Sequence, residues 1–355
     1  MITCVLKGGL GNQLFQIFAI ISYAIKNGHS FIFKYGSHVN IGLKRKLYWD
    51  DFLVSLKVFT TINNKYNYSN EDLEKFPPIY LSQHHYQPMP IISKNENILF
   101  DSYFQSYRYF EEEEEKIFSF IRLDSQMKII KNNYDYLFND NYTISIHFRL
   151  GDYKNLQDYH NILPYEYYEK SIYNILESLE DSQTLSIPAS SSRQVCDFSV
   201  SAPSSTPPLL KTLSSSLSTP PLLQKIRIIY FCEEEDIEYV THIINRLQTI
   251  SSPASTSRQV CDFRGSVPSA TTPLLQNIEF TRASNSMEDW QQLLLMSCCD
   301  SNIIANSSYS WWGAYFNRNK EKIVCYPSQW FGPHLSHNIL FDMFPNVKGW
   351  HKIDI

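Results

Sequence analysis

The chain has 355 residues, 43% of them hydrophobic, enough for two domains of ordinary size with sizeable cores. Its 31 Lys and Arg against 36 Asp and Glu leave a net charge of -5, which excludes the broad basic face of a general nucleic-acid binder. Seven cysteines, an odd number with no C-x-x-C spacing, argue against a zinc site or a disulfide frame and point to free thiols in a reducing compartment.

In chain order, residues 2–6 read as a first strand, with no secretory leader before it, so the expectation is a soluble, cytoplasmic protein. The strand enters Lys7-Gly8-Gly9-Leu10-Gly11-Asn12-Gln13, and residues 14–26 then read as an apolar helix. Gln16 and Ser22 interrupt that helix and it is too short to cross a bilayer, which leaves at most a peripheral membrane association. A glycine turn between a strand and a helix start can aim backbone N–H groups at a ligand. Two nucleotide fingerprints fail here: Leu14 stands where a dinucleotide motif needs its third glycine, and no Lys-Ser/Thr follows for a P-loop. Asn12 and Gln13 read either as ligand-facing residues or as helix caps.

Residues 35–87, rich in Asn, Lys and Tyr, read as loops and short helices of a variable surface. A strand follows at 98–100. The aromatic run 103–110 behind it either stacks on a sugar or fills the core. Glu111 to Glu115 read as a solvated helix start.

The central stretch is Ile144-Ser145-Ile146-His147-Phe148-Arg149-Leu150-Gly151-Asp152-Tyr153. Its apolar alternation predicts a buried strand ending at a Gly-Asp turn, which puts His147, Arg149 and Asp152 at a strand's carboxyl end. Open α/β sheets bind ligands there, so Arg149 either grips an anion or forms a structural ion pair with Asp152. A helix at 165–180, a strand at 226–231, an acidic turn at 233–236 and a helix at 237–247 continue a βαβ rhythm. The acidic turn reads mainly as a cap for its helix, with one carboxylate reaching a ligand hydroxyl as the alternative.

Two segments interrupt this rhythm. PASSSRQVCDFSVSAPSSTPPLL at 188–210 recurs, little changed, as PASTSRQVCDFRGSVPSATTPLL at 253–275. Such Ser/Pro-rich segments have no usable apolar period, so they are expected as disordered surface insertions whose removal restores short helix-to-strand connections. Beyond them, 289–298 reads as a helix and 302–305 as a strand. Asn306-Ser307-Ser308-Tyr309-Ser310 then turns into a helix at 311–315. Hydroxyls and free N–H groups at that helix start suit an anion; a plain N-cap followed by core tryptophans is the alternative.

Taken together, Lys7-Gly8-Gly9-Leu10-Gly11-Asn12-Gln13-Leu14-Phe15-Gln16, His147-x-Arg149-x-Gly151-Asp152-Tyr153 and 303–314 resemble the three ordered blocks of the α-1,2-fucosyltransferases, glycosyltransferase family 11. The resemblance implies an α/β protein of GT-B architecture, two Rossmann-like domains facing a cleft. It implies an acceptor-side domain at 1–140, a donor-binding domain at 141–330 with insertions at about 186–224 and 251–276, and a C-terminal tail at 331–355. It also implies inverting, metal-independent transfer of L-fucose from GDP-L-fucose to a galactose-type glycan, through α-1,2 linkage. A nucleotide sugar and a glycan acceptor are then the partners, with no cofactor and no nucleic acid. Arg149 matches the family's phosphate-gripping arginine, with His147 and Asp152 beside it as catalytic candidates. Gly9, Gly11, Asn12, Gln13, Asn306, Ser307, Ser308 and Ser310 become the donor-binding candidates. Leu150, Gln292 and Ser301 stand where many members carry arginine, aspartate and histidine. Those departures keep two alternatives open: another donor or acceptor sugar, and a non-catalytic sugar-nucleotide or glycan-binding protein.

Overall fold

The computed structural model describes residues 1–39, 41–83, 85–139, 141–185, 225–249, 278–337, 342–347 and 349–355. The two repeat insertions expected at about 186–224 and 251–276 lie outside them. The first lobe opens with β1 (Ile2–Cys4), which runs through the glycine turn into α1 (Leu10–Asn27). An antiparallel hairpin of β2 (His38–Val39) and β3 (Arg45–Lys46) follows, then α2 (Asn70–Glu74), β4 (Pro78–Tyr80) and β5 (Ile98–Asp101). Helices α3 (Glu114–Phe120) and α4 (Leu123–Asn133) lead to the second lobe. Strands β1, β5 and β4 form a parallel sheet with β5 in the middle, Ile2 opposite Ile98 and Ile79 opposite Phe100.

The second lobe is β6 (Asn141–His147), α5 (Tyr165–Leu185), β7 (Lys225–Phe231), α6 (Ile237–Gln248), β8 (Ile278–Arg282), α7 (Asp289–Ser297), β9 (Ser301–Ile303), α8 (Ser308–Tyr315), β10 (Val324–Pro327) and β11 (Trp350–Ile353). Its six strands are all parallel, in the order β11-β10-β9-β6-β7-β8. The two parallel α/β sheets lie on either side of a cleft, as the GT-B architecture requires. Residues 331–355, expected as a tail, instead supply the edge strand β11, with Trp350 opposite Val324. Trp350-His351-Lys352-Ile353 carries no apolar alternation, so a strand is not legible there.

The order of the large sheet fixes where a ligand can enter. From β6 the chain goes to β7 and β8 on one side and later returns to β9, β10 and β11 on the other. The strand order therefore reverses between β6 and β9, and a crevice opens beyond their carboxyl ends. Strand β6 is buried on both faces, with Ile144 and Ile146 on one and Thr143, Ser145 and His147 on the other.

Helix α1 is buried on nearly every side, from Leu10 to Ala24, and ends at Gly28 in the left-handed conformation that a C-cap favours. It packs on α8 through aromatic rings: Phe15 lies 4.6 Å from Trp311 and Phe18 lies 4.7 Å from Trp312. One hydrophobic core runs through this contact and includes residues of both lobes. A second core covers the other face of the large sheet, with Ile144, Phe148, Tyr167, Ile228 and Ile243. Among the described residues no helix is long and apolar enough to cross a membrane. Cys4, Cys232, Cys298, Cys299 and Cys325 are free thiols. Cys196 and Cys261 lie outside the described residues.

Candidate active site

Beyond β6 the chain keeps its alternation for two more residues. Phe148 donates its N–H to the Phe231 carbonyl at 2.9 Å and buries its ring against Tyr168, so His147 and Arg149 line the cleft. Gly151 then turns with φ +39. That left-handed backbone favours glycine, and a Cβ there would lie 2.8 Å from a Glu233 carboxylate oxygen, which would have to shift. The Gly151 N–H donates to Asp236 Oδ2 at 2.9 Å.

The acidic turn therefore does something other than cap α6, whose first turn receives no side-chain cap from it. Glu233 pairs with Arg149, Asp236 with Lys154 at 2.5 Å, and Glu234 with Arg282 at 3.0 Å. Glu233 and Asp236 hold the turn after β6 in place, and Glu234 ties the acidic turn to the end of β8. Sequence alone could not show this, because the partners come from different strand ends.

Arg149 is fixed on three sides. Its guanidinium donates to Asp152 and to Glu233, and it lies over the Tyr153 ring at 4.9 Å. Tyr153 in turn donates its hydroxyl to the Asn306 carbonyl at 3.1 Å and stacks on His160 at 4.5 Å. Burial works against the charged guanidinium, but Asp152, Tyr153 and Glu233 outweigh it and raise its pKa further. Arg149 is thus ion-paired, as one of its sequence readings has it, and it also lines the cleft. Asp152 accepts from Arg149 on one oxygen and, at 3.2 Å, from Arg45 of the opposite lobe on the other. His147 is pushed down to about 3 by burial and then by the Arg149 charge, so its ring is neutral near pH 7. Its Nδ1 is buried without a partner.

The facing block comes from β9 and α8. Ser307 is the N-cap of α8 and accepts the Tyr309 N–H at 3.3 Å. Ser308 donates its hydroxyl to Asn12 Oδ1 at 2.7 Å, and Gln105 donates to the same oxygen at 3.0 Å. Gly11 lies so close to this helix start that a Cβ would stand 2.4 Å from the Ser308 carbonyl carbon. The Gly11 carbonyl accepts from Trp312 Nε1 at 2.9 Å. The glycine turn of one lobe and the serine turn of the other are therefore seated directly on each other at the floor of the cleft, where Gly9, Gly11, Asn12, Ser307 and Ser308 all line it.

Three of the expected donor-binding side chains are committed elsewhere. Asn306 borders the cleft, but its amide donates to the Asn161 and Trp330 carbonyls and ties two loops together. Ser310 is fully buried and accepts the Ala305 N–H at 3.2 Å. Gln13 is likewise buried and donates to the carbonyls of Gly8 and Lys46 at 3.0 and 2.8 Å. Their N–H and hydroxyl groups serve backbone atoms of their own lobes, while Gln13 Oε1 and Asn306 Oδ1 are buried without a partner. Of the three departures from the family blocks, only Gln292 lines the cleft. Leu150 packs into the far core, and Ser301 is inside the sheet, bonded to Tyr142 at 2.6 Å.

The cleft holds about 900 Å³, at the upper end of the range for small-molecule sites. Sequence reasoning did not foresee Arg45, Tyr48, His160 or Asp289 among its lining, and Glu233 is the carboxylate of the acidic turn that reaches it. Tyr48 donates its hydroxyl to Asp289 across the lobes, and burial raises the pKa of both groups. The available signal was Lys44-Arg45-Lys46, three successive cations in a segment otherwise read as surface loop.

No family model matches the chain. Over 55 residues, 16% of the chain, it is 46% identical to the O-antigen biosynthesis glycosyltransferase WbnK of Escherichia coli. The chain thus matches 18% of the length of that curated relative. Similar solved structures include a mutant of Arabidopsis thaliana FUT1 in complex with GDP, at TM-score 0.38 and 11% identity over 91% of this chain and 69% of that one. Another is the fucosyltransferase NodZ from Bradyrhizobium, at TM-score 0.36 and 10% identity over 88% of this chain and 90% of that one.

Proposed function

We propose that the cleft binds a nucleoside diphosphate sugar and transfers its glycosyl group to an acceptor hydroxyl. In this reading GDP-L-fucose is the donor, a galactose-type glycan is the acceptor, and the product is an inverted, α-1,2-linked fucoside. The observation that carries it is the meeting of Arg149 and the α8 start from one lobe with the glycine turn and Asn12 from the other, in one cleft at the sheet's switch point. The local identity to a glycosyltransferase and the three sequence blocks support the same reading.

The chemistry follows from where charge develops. The bond between the anomeric carbon and the β-phosphate oxygen breaks, and its electron pair goes to that oxygen. A guanidinium held by Asp152 and lying over the Tyr153 ring is already oriented towards the new charge. The acceptor oxygen attacks from the opposite face of the sugar, which inverts the centre, and its proton passes to solvent water as the nucleoside diphosphate leaves. Asp152, with both oxygens occupied by guanidiniums, serves to hold Arg149, and His147 offers neutral hydrogen bonding beside it.

The test is transfer from GDP-fucose to a panel of galactosides, with and without excess chelator. Fucosylated product in both conditions is expected. Tight GDP binding without turnover would make this a binding protein, and turnover with a different nucleotide sugar alone would move the donor assignment.

A further inference from the structure

Arg45 sits on β3 of the first lobe, yet its Nη2 reaches Asp152 of the second lobe at 3.2 Å. Arg149 donates to the other oxygen of the same carboxylate. Two guanidiniums from opposite lobes therefore share one carboxylate on the wall of the cleft. Held on two oxygens of a single small group, they are spaced as they would be on neighbouring oxygens of a phosphoryl group. Each keeps part of its surface open to the cleft, with 40% of the Arg45 side chain and 18% of the Arg149 side chain exposed.

A charge count calls for a cation besides Arg149, and of Lys44 and Arg45, which both line the cleft, Arg45 is the one paired with Asp152. A departing nucleoside diphosphate carries at least two negative charges, and Arg149 supplies one positive charge. His147, its neighbour, is neutral. Lys46, on the same hairpin, is already held by Asp51 at 2.6 Å and Glu288 at 3.0 Å. Arg45 is the cation that touches the carboxylate of Arg149 itself. Its position is also built: Val39 opposes it across the hairpin, and Gln13 from the glycine turn donates to the next carbonyl, that of Lys46, at 2.8 Å.

We propose, on the nucleotide-sugar reading above, that Arg45 is the second guanidinium of the diphosphate site, carried across the cleft by the β2–β3 hairpin and held beside Arg149 by Asp152. Donor binding then draws on both lobes at once. Asp152 stays behind the pair as its common support, while the half-exposed Glu233 gives way to the incoming phosphate.

Calorimetric titration of the full chain with GDP and with GMP tests this, using wild type, Arg45→Met, Arg45→Lys and Asp152→Asn, with Arg45→Met also made in the Asp152→Asn background. Arg45→Met should weaken GDP about 10- to 100-fold, the loss expected for a charge-assisted contact, and weaken GMP less. Arg45→Lys should recover part of the loss. The Arg45→Met effect should persist in the Asp152→Asn background, and melting temperatures should show that each variant is folded. Unchanged GDP affinity in Arg45→Met would overturn the inference and leave the nucleotide reading standing. Equal losses for GDP and GMP that vanish in the Asp152→Asn background would make Arg45 a tether between lobes and also overturn it. Failure of the wild type to bind any nucleoside diphosphate would remove both.

Discussion

Arg149 and His147 are two residues apart, and the fold treats them in opposite ways. Arg149 is kept charged by two carboxylates and a tyrosine ring, while burial keeps His147 neutral. Arg149→Ala should therefore lower transfer by on the order of 100-fold or more, as loss of a transition-state donor does, while circular dichroism shows a folded chain. The sign for His147 follows from linkage. Its pKa falls from 6.5 in the unfolded chain to about 3 in the folded one, so its contribution is fully present above pH 6.5. As pH falls from 6.5 towards 3 the unfolded chain takes up a proton that the folded chain refuses, and stability is lost by up to about 1.4 kcal/mol per pH unit. Melting temperatures from pH 7 to pH 4 should therefore fall more steeply for wild type than for His147→Gln; parallel curves would show that the ring does not resist protonation. The strand end made these two residues legible, because position and charge pointed to the same place. Asn306 and Ser310 were not legible, since a sequence does not say which backbone carbonyl or N–H a buried amide or hydroxyl will serve.

Among elements, those carried by apolar residues were readable, even strands as short as β1 and β5, and the short polar ones were not. Helix α1 and strand β6 showed themselves through sustained apolar residues, and both lie close to where periodicity put them. Strands β2, β3 and β11 carry no apolar alternation, and they exist because a neighbouring strand pairs with them. The contact between the starts of α1 and α8 is the least visible in sequence, yet it sets the floor of the cleft. It gives two glycines opposite sensitivities. At Gly11 a Cβ would stand 2.4 Å from the Ser308 backbone, whereas at Gly9 nothing lies within 4 Å. Gly11→Ala should then force the helix starts apart, cost about 1–3 kcal/mol and lower the melting temperature, and it should disturb transfer as well. Gly9→Ala should stay within about 0.5–1 kcal/mol of wild type. Equal stability of the two variants in urea titrations would mean that the lobes separate at this contact without cost.

For the molecule as a whole, the question is whether the two lobes unfold independently. The sheets are separate, but the core is not: Phe15 and Phe18 of α1 lie in the same hydrophobic cluster as Trp311 and Trp312 of α8, and α7 joins it through Leu293 and Leu294. Trp312 is fully buried, packs on Phe15, Phe18 and Phe110, and donates to the Gly11 carbonyl. Neither lobe keeps this interior dry once the other has opened, so the two should melt together in one calorimetric transition. Trp312→Ala removes a buried aromatic from the shared region and should cost about 3–5 kcal/mol. The single transition should move down as a unit, and a saturating nucleoside diphosphate, at 100 times its Kd, should move it back up by about 2.7 kcal/mol. Two separate transitions, with Trp312→Ala shifting only one, would mean that the α1–α8 contact joins the lobes without coupling them. A site assembled from both lobes would then have to be completed by its ligand.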